Sequence, residues 1–237
     1  MIDINCDLGE GLHNEHMIMP LISSCNISCG AHAGSIEIID KVIQLAVQHN
    51  VKIGAHPSFP DRQNFGRKVL NISNSKLQKS LEDQLTVFKE RALLQDATIH
   101  HVKPHGALYN LIAVNREKAS VVIAAIQHVF EAVKLYVPYK SSIEEVAAQS
   151  GLEIVYEAFA DRRYNEDLSL VSRTLSNALI VDKYEVSKQV QKISDKQLVT
   201  TVNLNEKEIK ASTFCVHGDT KNAIEILQYL HKHIHTK

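Results

Sequence analysis

The sequence has few of the residues that mark secreted or membrane-embedded chains. Its 237 residues include four cysteines, five prolines and no tryptophan. So few cysteines do not make a disulfide-stabilised scaffold, which favours reduced thiols and a cytoplasmic protein. No apolar run approaches the roughly 18 residues of a membrane span, and the N-terminus lacks the basic and apolar regions of a signal peptide. We therefore expect neither membrane insertion nor export.

Neither sign of charge dominates. Lysine and arginine number 26 and aspartate and glutamate 27, which gives a formal net charge of −1. Without a basic excess to neutralise phosphates, binding to nucleic acid has no electrostatic support. The hydrophobic content of 44% is enough for a sizeable core, and no repeat, low-complexity tract or flexible linker divides the chain. We expect a single domain over residues 1–237.

Short apolar runs alternate with longer segments whose apolar residues recur at helical spacing, as in Ile36–His49. Strand, helix and strand in regular succession predict an α/β fold with parallel strands and right-handed crossovers. Leu198–Ala211 differs and predicts a small hairpin. Seven runs are strand candidates, a number that suits a closed barrel. They are Ile2–Cys6, Cys25–Cys29, Val51–Ala55, Thr98–Val102, Lys134–Val137, Glu153–Phe159 and Thr213–Val216.

Ionisable side chains follow the predicted strands directly. Because parallel strands all end on one side of a barrel, we expect these groups to converge on one rim. In order along the chain they are Asp7, Glu10, His32, His56, Lys103, His105, Asp161, Arg162, His217 and Asp219.

The stretch "HVKPHG" holds an ammonium and an imidazole two residues apart at a strand end. In extended backbone Lys103 and His105 share a face, so we expect each to lower the pKa of the other and to attract an anion. This pair suits a developing oxyanion, with the imidazole as a proton shuttle. The H-x3-H spacing of His101 and His105 is weak as a zinc motif, because Pro104 argues against the helix that it needs.

The residues of the remaining motifs are expected partly in the functional site and partly in the hydrophobic core. Cys25 and Cys29 lack a second cysteine pair and are expected in the core, whereas His32 lies beyond the strand in a glycine-flanked turn. The long loop after His56 is typical of lids, and Arg67 within it is a candidate clamp for a carboxylate or phosphate. For the charged segment 157–173 a solvated loop is the alternative to a place in the site. Glu157 lies within an apolar strand, where its carboxylate needs a partner, which favours a position facing the pocket.

Seven motifs together resemble the LamB/YcsF family, understood as the A subunit of bacterial 5-oxoprolinase. The resemblance spans essentially the whole chain and implies a seven-stranded TIM-like (β/α) barrel of the glycoside hydrolase/deacetylase type. Leu168 departs from the family pattern, which usually has glycine there. The motifs, in order, are "INCDLGEG", "NISCGAHAGS", "IGAHPSFPD", "FGR", "HVKPHGALYN", "EAFADRRY" and "CVHGDT".

The resemblance implies ATP-dependent opening of 5-oxo-L-proline to L-glutamate, carried out with partner subunits B and C. The sequence contains no P-loop and no G-x-G-x-x-G motif. Either a non-standard pocket of this chain binds ATP, with Mg²⁺, or subunits B and C supply it, and the second alternative is favoured. A homo-oligomer is left open. The expected catalytic residues are Asp7, Glu10, His56, Lys103, His105, His217 and Asp219. The expected substrate-binding residues are Asn5, His32, Arg67, Tyr109, Glu157, Asp161 and Arg162.

Within this set, Lys103 is expected to neutralise the charge that develops on an oxyanion or phosphate. Asp7 or Glu10, with His56 or His105, would activate water. His217 with Asp219 would carry protons, and Arg162 or Arg67 would hold the substrate carboxylate. Replacing Lys103 or His105 by alanine is expected to remove turnover while leaving melting nearly unchanged.

Two rival interpretations remain. One is a metal-dependent carbohydrate deacetylase on a similar barrel, with Asp7 and strand-end histidines as metal ligands. The other is a non-catalytic subunit that binds a small acid. The leading interpretation assigns no metal ligand.

Overall fold

The computed structural model describes residues 2–234. Seven parallel strands close into a barrel, and two further strands pair antiparallel in a separate ribbon at 198–208, inside the segment where the sequence predicts a hairpin. The strands are β1 (Asp3–Leu8), β2 (Ser24–Ser28), β3 (Lys52–His56), β4 (Ile99–Val102), β5 (Lys134–Pro138), β6 (Ile154–Phe159), β7 (Leu198–Thr200), β8 (Glu206–Glu208) and β9 (Thr213–Cys215).

The barrel order is β1-β2-β3-β4-β5-β6-β9, and β9 closes the ring by pairing with both β6 and β1. Each barrel strand lies within two residues of its predicted run, so the predicted seven-stranded TIM-like barrel is confirmed. The ribbon of β7 and β8 precedes the last barrel strand and takes no place in the ring.

Helices surround the barrel, and five of the eight α-helices begin after a side chain that caps them. Asn115, for example, accepts a hydrogen bond from the main-chain nitrogen of Lys118 at 2.9 Å. A short 3₁₀ helix covers Met19–Leu21. The helices are α1 (Glu15–Ile18), α2 (Ile36–Gln48), α3 (Asn74–Leu93), α4 (Gly106–Val114), α5 (Arg116–Val129), α6 (Ser142–Gln149), α7 (Lys183–Lys196) and α8 (Ala223–His233).

The helical stripes predicted from the sequence pack onto the barrel. In α2 the buried positions are Ile39, Val42, Ile43 and Ala46. Ile36, which belongs to the same predicted stripe, is 49% exposed, because it is the first residue of the helix. Within residues 2–234, no helix combines the length and the apolar character needed to cross a membrane.

The barrel interior contains a polar layer. Asn26 Nδ2 donates to Asn5 Oδ1 at 2.7 Å and to Asp7 Oδ1 at 2.8 Å. The ring of His101 donates from Nε2 to Asn26 Oδ1 at 2.6 Å and stacks on Tyr136. Because buried polar groups are costly without partners, this network fixes the side chains below the strand ends.

Gly54 in β3 makes room for His101. A Cβ added at Gly54 would lie 2.1 Å from His101 Nε2, a distance that only a rearrangement of the buried ring can relieve. We expect Gly54→Ala to lower the free energy of unfolding by about 3 kcal/mol, the upper end of overpacking effects. Denaturant unfolding measures this. Gly151→Ala is the control, because its Cβ would meet nothing within 4 Å and only its positive φ opposes alanine. Equal losses would contradict the steric explanation.

Candidate active site

A cavity of about 420 Å³ opens at the C-terminal ends of the barrel strands. Its lining includes side chains at or beyond the ends of five different strands, β1, β3, β4, β6 and β9, as expected for parallel strands that end on one side. Six of the predicted catalytic side chains border it, and the seventh, Asp219, contacts two arginines of its wall. These six are Asp7, Glu10, His56, Lys103, His105 and His217.

The turn after β4 explains why glycine follows histidine in "HVKPHG". Gly106 has φ +56°, and a Cβ there would lie 2.8 Å from the main-chain oxygen of Gly66. The lid-like loop after β3 therefore approaches the start of α4 closely, and His105 Nε2 donates to the main-chain oxygen of Phe65 at 2.9 Å. Glycine is required here for both its backbone conformation and its size.

Lys103 is 2% exposed and lies between two carboxylates. Its ammonium contacts Asp7 Oδ1 at 3.0 Å and Glu157 Oε1 at 2.9 Å, and it donates to Cys215 Sγ at 3.1 Å. Burial alone would lower the pKa of Lys103, but the charge of Asp7 and that of Glu157 raise it well above its ordinary value. The sequence-based prediction that His105 lowers the pKa of Lys103 is therefore wrong, because two acids rather than an imidazole surround the ammonium.

Three imidazoles surround Glu10. Its Oε1 lies 3.0 Å from His32 Nε2, 3.2 Å from His105 Nδ1 and 3.8 Å from His56 Nε2. Burial lowers the pKa of His32 to about 4 and also lowers that of His105. Burial would lower the pKa of His56 as well, but Asp7, whose Oδ2 lies 3.5 Å from His56 Nε2, raises it. We call Glu10, His32, His56 and His105 the histidine cluster.

His217 is oriented by a buried acid. Its Nδ1 donates to Asp161 Oδ1 at 2.9 Å, and Asp161 also accepts from the His217 main-chain nitrogen and from Thr220 Oγ1. Burial would raise the pKa of Asp161, but His217 and these hydrogen bonds lower it. The ring stacks on Phe159. The predicted pairing of His217 with Asp219 is wrong, because Asp161, at the end of β6, reaches the imidazole instead.

Asp219 has a different set of partners. It forms ion pairs with Arg67, from the loop after β3, and with Arg173, whose Nη1 lies 3.3 Å from Asp219 Oδ2. Both arginines line the cavity. Burial would raise the pKa of Asp219, but Arg173 and Arg67 lower it. Arg67, a candidate substrate clamp in the sequence, is thus engaged by a carboxylate of the chain itself.

Arg162 presents an unused donor to the cavity. The side chain is 6% exposed, Nη2 donates to the Val171 main-chain oxygen at 2.6 Å, and Nε is buried without a hydrogen-bond partner. Burial and the charge of Arg173 lower the pKa of Arg162, so an anion beside it would be stabilised. The Tyr109 hydroxyl, also on the cavity wall, is likewise without a partner, and burial raises its pKa well above the ordinary value.

Four side chains predicted to bind substrate do not line this cavity. They lie one layer behind it and hold the residues that do. Asn5 and Glu157 contact Lys103, His32 contacts Glu10, and Asp161 contacts His217. These four side chains therefore support the residues that line the cavity, whereas the sequence led us to expect them in contact with substrate.

One part of the cavity wall was not predicted from the sequence. Residues 170–174, with Arg173 among them, line the cavity although none of them was named as a site candidate from the sequence. The length of this segment could have indicated a place in the site. The loop after β6 extends to α7 without helical periodicity, which is the criterion that marked the loop after β3. Cys25 and Cys29 are free and buried, and burial raises the pKa of each to about 12, in keeping with core positions.

A closed parallel barrel with carboxylates, imidazoles and an ammonium gathered at the strand C-termini is the arrangement in which TIM-type barrels build active sites. The chain belongs to the LamB/YcsF family, whose sequence pattern matches residues 2–237.

The similar proteins extend over nearly the whole chain. A 5-oxoprolinase A subunit from Staphylococcus aureus is 41% identical over 228 residues, covering 94% of this chain and 91% of that protein. A 5-oxoprolinase A subunit from Bacillus cereus is 38% identical over 237 residues, covering 98% and 94%. The crystal structure of a lactam utilization protein from Thermus thermophilus matches with a TM-score of 0.91 at 31% identity, covering 98% of this chain and 94% of that one.

Proposed function

We propose that this chain is the A subunit of an ATP-dependent 5-oxoprolinase that opens 5-oxo-L-proline to L-glutamate together with subunits B and C. The observation that carries the proposal is one cavity bordered by both an acid-oriented imidazole, His217, and a buried arginine with a free N–H, Arg162. These groups suit the two needs of the reaction, which are proton transfer and recognition of a small carboxylate. Relatives that are 38% and 41% identical bear the corresponding name.

The chemistry explains the need for ATP. A lactam amide resists hydrolysis, and re-closure of the five-membered ring competes with opening. Transfer of the γ-phosphoryl group of ATP to the amide oxygen, with release of ADP, makes that oxygen a leaving group. Water then adds at the same carbon, and the ring nitrogen takes a proton as its bond to carbon breaks, which leaves an acyl phosphate. A second water hydrolyses the acyl phosphate, so that phosphate departs and L-glutamate remains. The enzyme must therefore move protons and stabilise developing negative charge.

The side chains divide this work. His217 donates from Nδ1 to Asp161, so Nε2 of the neutral ring is free to take a proton from water and to return it to the ring nitrogen. Arg162 and the neutral Tyr109 hydroxyl supply donors for the substrate carboxylate. Lys103 holds Asp7 and Glu157 in place beneath the cavity. This division differs from the sequence-based roles, in which Asp7 or Glu10 with His56 or His105 activates water and His217 carries protons.

ATP and its Mg²⁺ are assigned to the partner subunits. Arg67 and Arg173, the arginines nearest the mouth, are both engaged by Asp219 rather than free for a polyphosphate. The residues of this chain therefore fit a small carboxylate better than a nucleotide. When bound, ATP supplies the phosphoryl group that activates the lactam.

Reconstitution tests the function. The purified chain, with and without subunits B and C, is incubated with 5-oxo-L-proline and ATP, and glutamate is measured. Glutamate only in the complete mixture is the expected result, and vigorous ATP-dependent cleavage by the chain alone would overturn the assignment of ATP to the partners. Acetate release from N-acetylated chito-oligosaccharides by this chain would favour the deacetylase instead. Tight binding of 5-oxoproline without turnover in the complete mixture would favour the small-acid binding subunit.

Arg162 can be tested with an adjacent control. In Arg162→Lys we expect KM for 5-oxoproline to rise about 10- to 100-fold, since a charge-assisted hydrogen bond is worth about 1.5–3 kcal/mol. The fall in kcat should be smaller. Arg163→Lys is the control, because Arg163 points away to an exposed ion pair with Glu185. Steady-state kinetics of the reconstituted enzyme measure both, and a KM unchanged in Arg162→Lys would remove this residue from substrate binding.

A further inference from the structure

A second cavity, of about 320 Å³, lies beside the cavity of about 420 Å³ already described. Tyr109 and Phe159 line both, so the two spaces are neighbours that share part of a wall. The remaining walls of the second cavity come from α4, from the end of β5, from β6 and from the loop after β6. We call it the side cavity, and its lining includes Tyr109, Ala113, Tyr139, Glu157, Tyr164 and Ile209.

Glu157 presents an unused acceptor in the side cavity. This residue lines the side cavity but not the first cavity, and only 1% of it is exposed. Its Oε1 is engaged, since Lys103 Nζ lies 2.9 Å away and Asn5 Nδ2 donates to it at 3.0 Å. Its Oε2 has no hydrogen-bond partner within residues 2–234. A buried carboxylate oxygen without a donor is destabilising, so a bound group that brings an N–H to Oε2 is stabilised there.

The Tyr109 hydroxyl is a second group without a partner on this wall. Burial and the neighbouring charge of Glu157 raise the pKa of Tyr109, so the phenol stays neutral beside the carboxylate. The two groups are neighbours, but no well-aligned hydrogen bond joins them. An ammonium has three N–H donors and can therefore bond to Glu157 Oε2 and to the phenol oxygen at once.

The charges of the lining favour a cation in the side cavity. Its lining includes two carboxylates, Glu157 and Asp167, and one ammonium, Lys140, which pairs with Glu208 at 3.3 Å. Lys103 does not neutralise Glu157 alone, because it also contacts Asp7. The first cavity, by contrast, is lined by four lysine or arginine side chains and two carboxylates. A positively charged ligand group is therefore better stabilised in the side cavity than in the first cavity.

We propose that the side cavity binds a small ligand through a primary ammonium group that donates to Glu157 Oε2 and to the Tyr109 oxygen. The apolar wall formed by Leu168, Leu170 and Ile209 accommodates the carbon chain that carries the ammonium. One source of such a group is L-glutamate, because ring opening turns the amide nitrogen of the substrate into an ammonium; this identification rests on the proposed function. A separate small amine has the same chemistry.

The test compares an amine with a neutral analogue of similar shape. Binding of benzylamine and of benzyl alcohol to the purified chain is measured by isothermal titration calorimetry at neutral pH, where benzylamine is protonated. We expect benzylamine to bind at least about tenfold more tightly, as a charge-assisted hydrogen bond implies. In Glu157→Gln the two affinities should come within about threefold of each other. Circular dichroism identifies any variant that fails to fold.

Ala113→Phe tests the location of the site without changing the carboxylate. Ala113 lines the side cavity and not the first one, so a phenyl ring there fills the space and should abolish measurable binding of benzylamine. Ala148→Phe is the matched control, because Ala148 is exposed on α6 and lines neither cavity. Benzylamine should bind to this control as it does to the wild type.

A second pair of ligands identifies the source of the ammonium. L-glutamate and glutarate differ only in the amine, and L-glutamate should bind more tightly to the wild type but not to Glu157→Gln. Equal binding of these two acids, with benzylamine still preferred over benzyl alcohol, would assign the site to a separate amine.

Two outcomes would overturn the ammonium site itself. One is benzylamine that binds no more tightly than benzyl alcohol, and the other is benzylamine binding that survives in both Glu157→Gln and Ala113→Phe. None of these titrations needs subunits B and C or ATP. Failure of the reconstituted glutamate assay would therefore leave the ammonium site standing, and failure of the titrations would leave the proposed reaction standing.

Discussion

Replacing Lys103 by methionine should destabilise the protein strongly. The substitution leaves Asp7 and Glu157, which are 5% and 1% exposed, without their shared counter-charge. Removing one partner of a buried ion pair costs about 3–5 kcal/mol. For a chain of this size each kcal/mol shifts Tm by about 2–4 °C, so Tm should fall by about 6–20 °C. Differential scanning calorimetry measures it.

Lys134→Met is the matched control. Lys134 begins β5 and pairs with Glu153 at 2.8 Å, but the two side chains are 37% and 64% exposed. Exposed pairs contribute about 0–1 kcal/mol, so this change should hardly move Tm. Similar Tm values for the two variants would show that the Lys103 network contributes no more than a surface pair. A large loss at Lys103 alone corrects the sequence-based expectation that melting stays nearly intact.

The largest effect on turnover should come from His217. In His217→Asn we expect kcat to fall about 10²- to 10⁴-fold, the usual contribution of a positioned acid–base group. Asp161→Asn should lower kcat similarly with KM little changed, because an amide no longer fixes the imidazole tautomer. Glutamate formation by the reconstituted enzyme gives both constants. Melting curves show whether each variant is folded.

The Asp219→Asn variant tests whether His217 acts with Asp161, as in the structure, or with Asp219, as expected from the sequence. Asp219 contacts Arg67 and Arg173 rather than His217, so its loss should leave kcat within a few-fold of wild type. A kcat that falls as far in Asp219→Asn as in Asp161→Asn would contradict the assignment of Asp161 as the orienting acid.

The barrel could be predicted because its signals are local. Apolar runs of strand length alternate with helical stripes, and that alternation alone implies parallel strands ending on one side. The same reasoning anticipated that Asp7, His56, Lys103 and His217 would meet at one end. Leu168, where the resemblance to the family led us to expect glycine, has φ +66°. This left-handed conformation is one that glycine adopts without steric cost.

Pairings across the barrel could not be predicted, since they depend on side chains separated by many residues. Asp161 and Asp219 both follow strands, and nothing in the sequence says which of them reaches His217. Lys103 was expected to face an anion, but Glu157 and Asp7 arrive from β6 and β1 and enclose it. The gathering of His32, His56 and His105 around Glu10 likewise depends on strand ends that only the closed barrel brings together.

Asp219 joins three loops that belong to distant parts of the chain, following β3, β6 and β9. Because these contacts are partly exposed, their strength falls with ionic strength: the Debye length shrinks from about 8 Å at physiological salt to about 3 Å at 1 M. The ion pairs around Lys103 are shielded from this effect by burial. Dissolved salt should therefore loosen the link between these three loops while leaving the barrel beneath them intact.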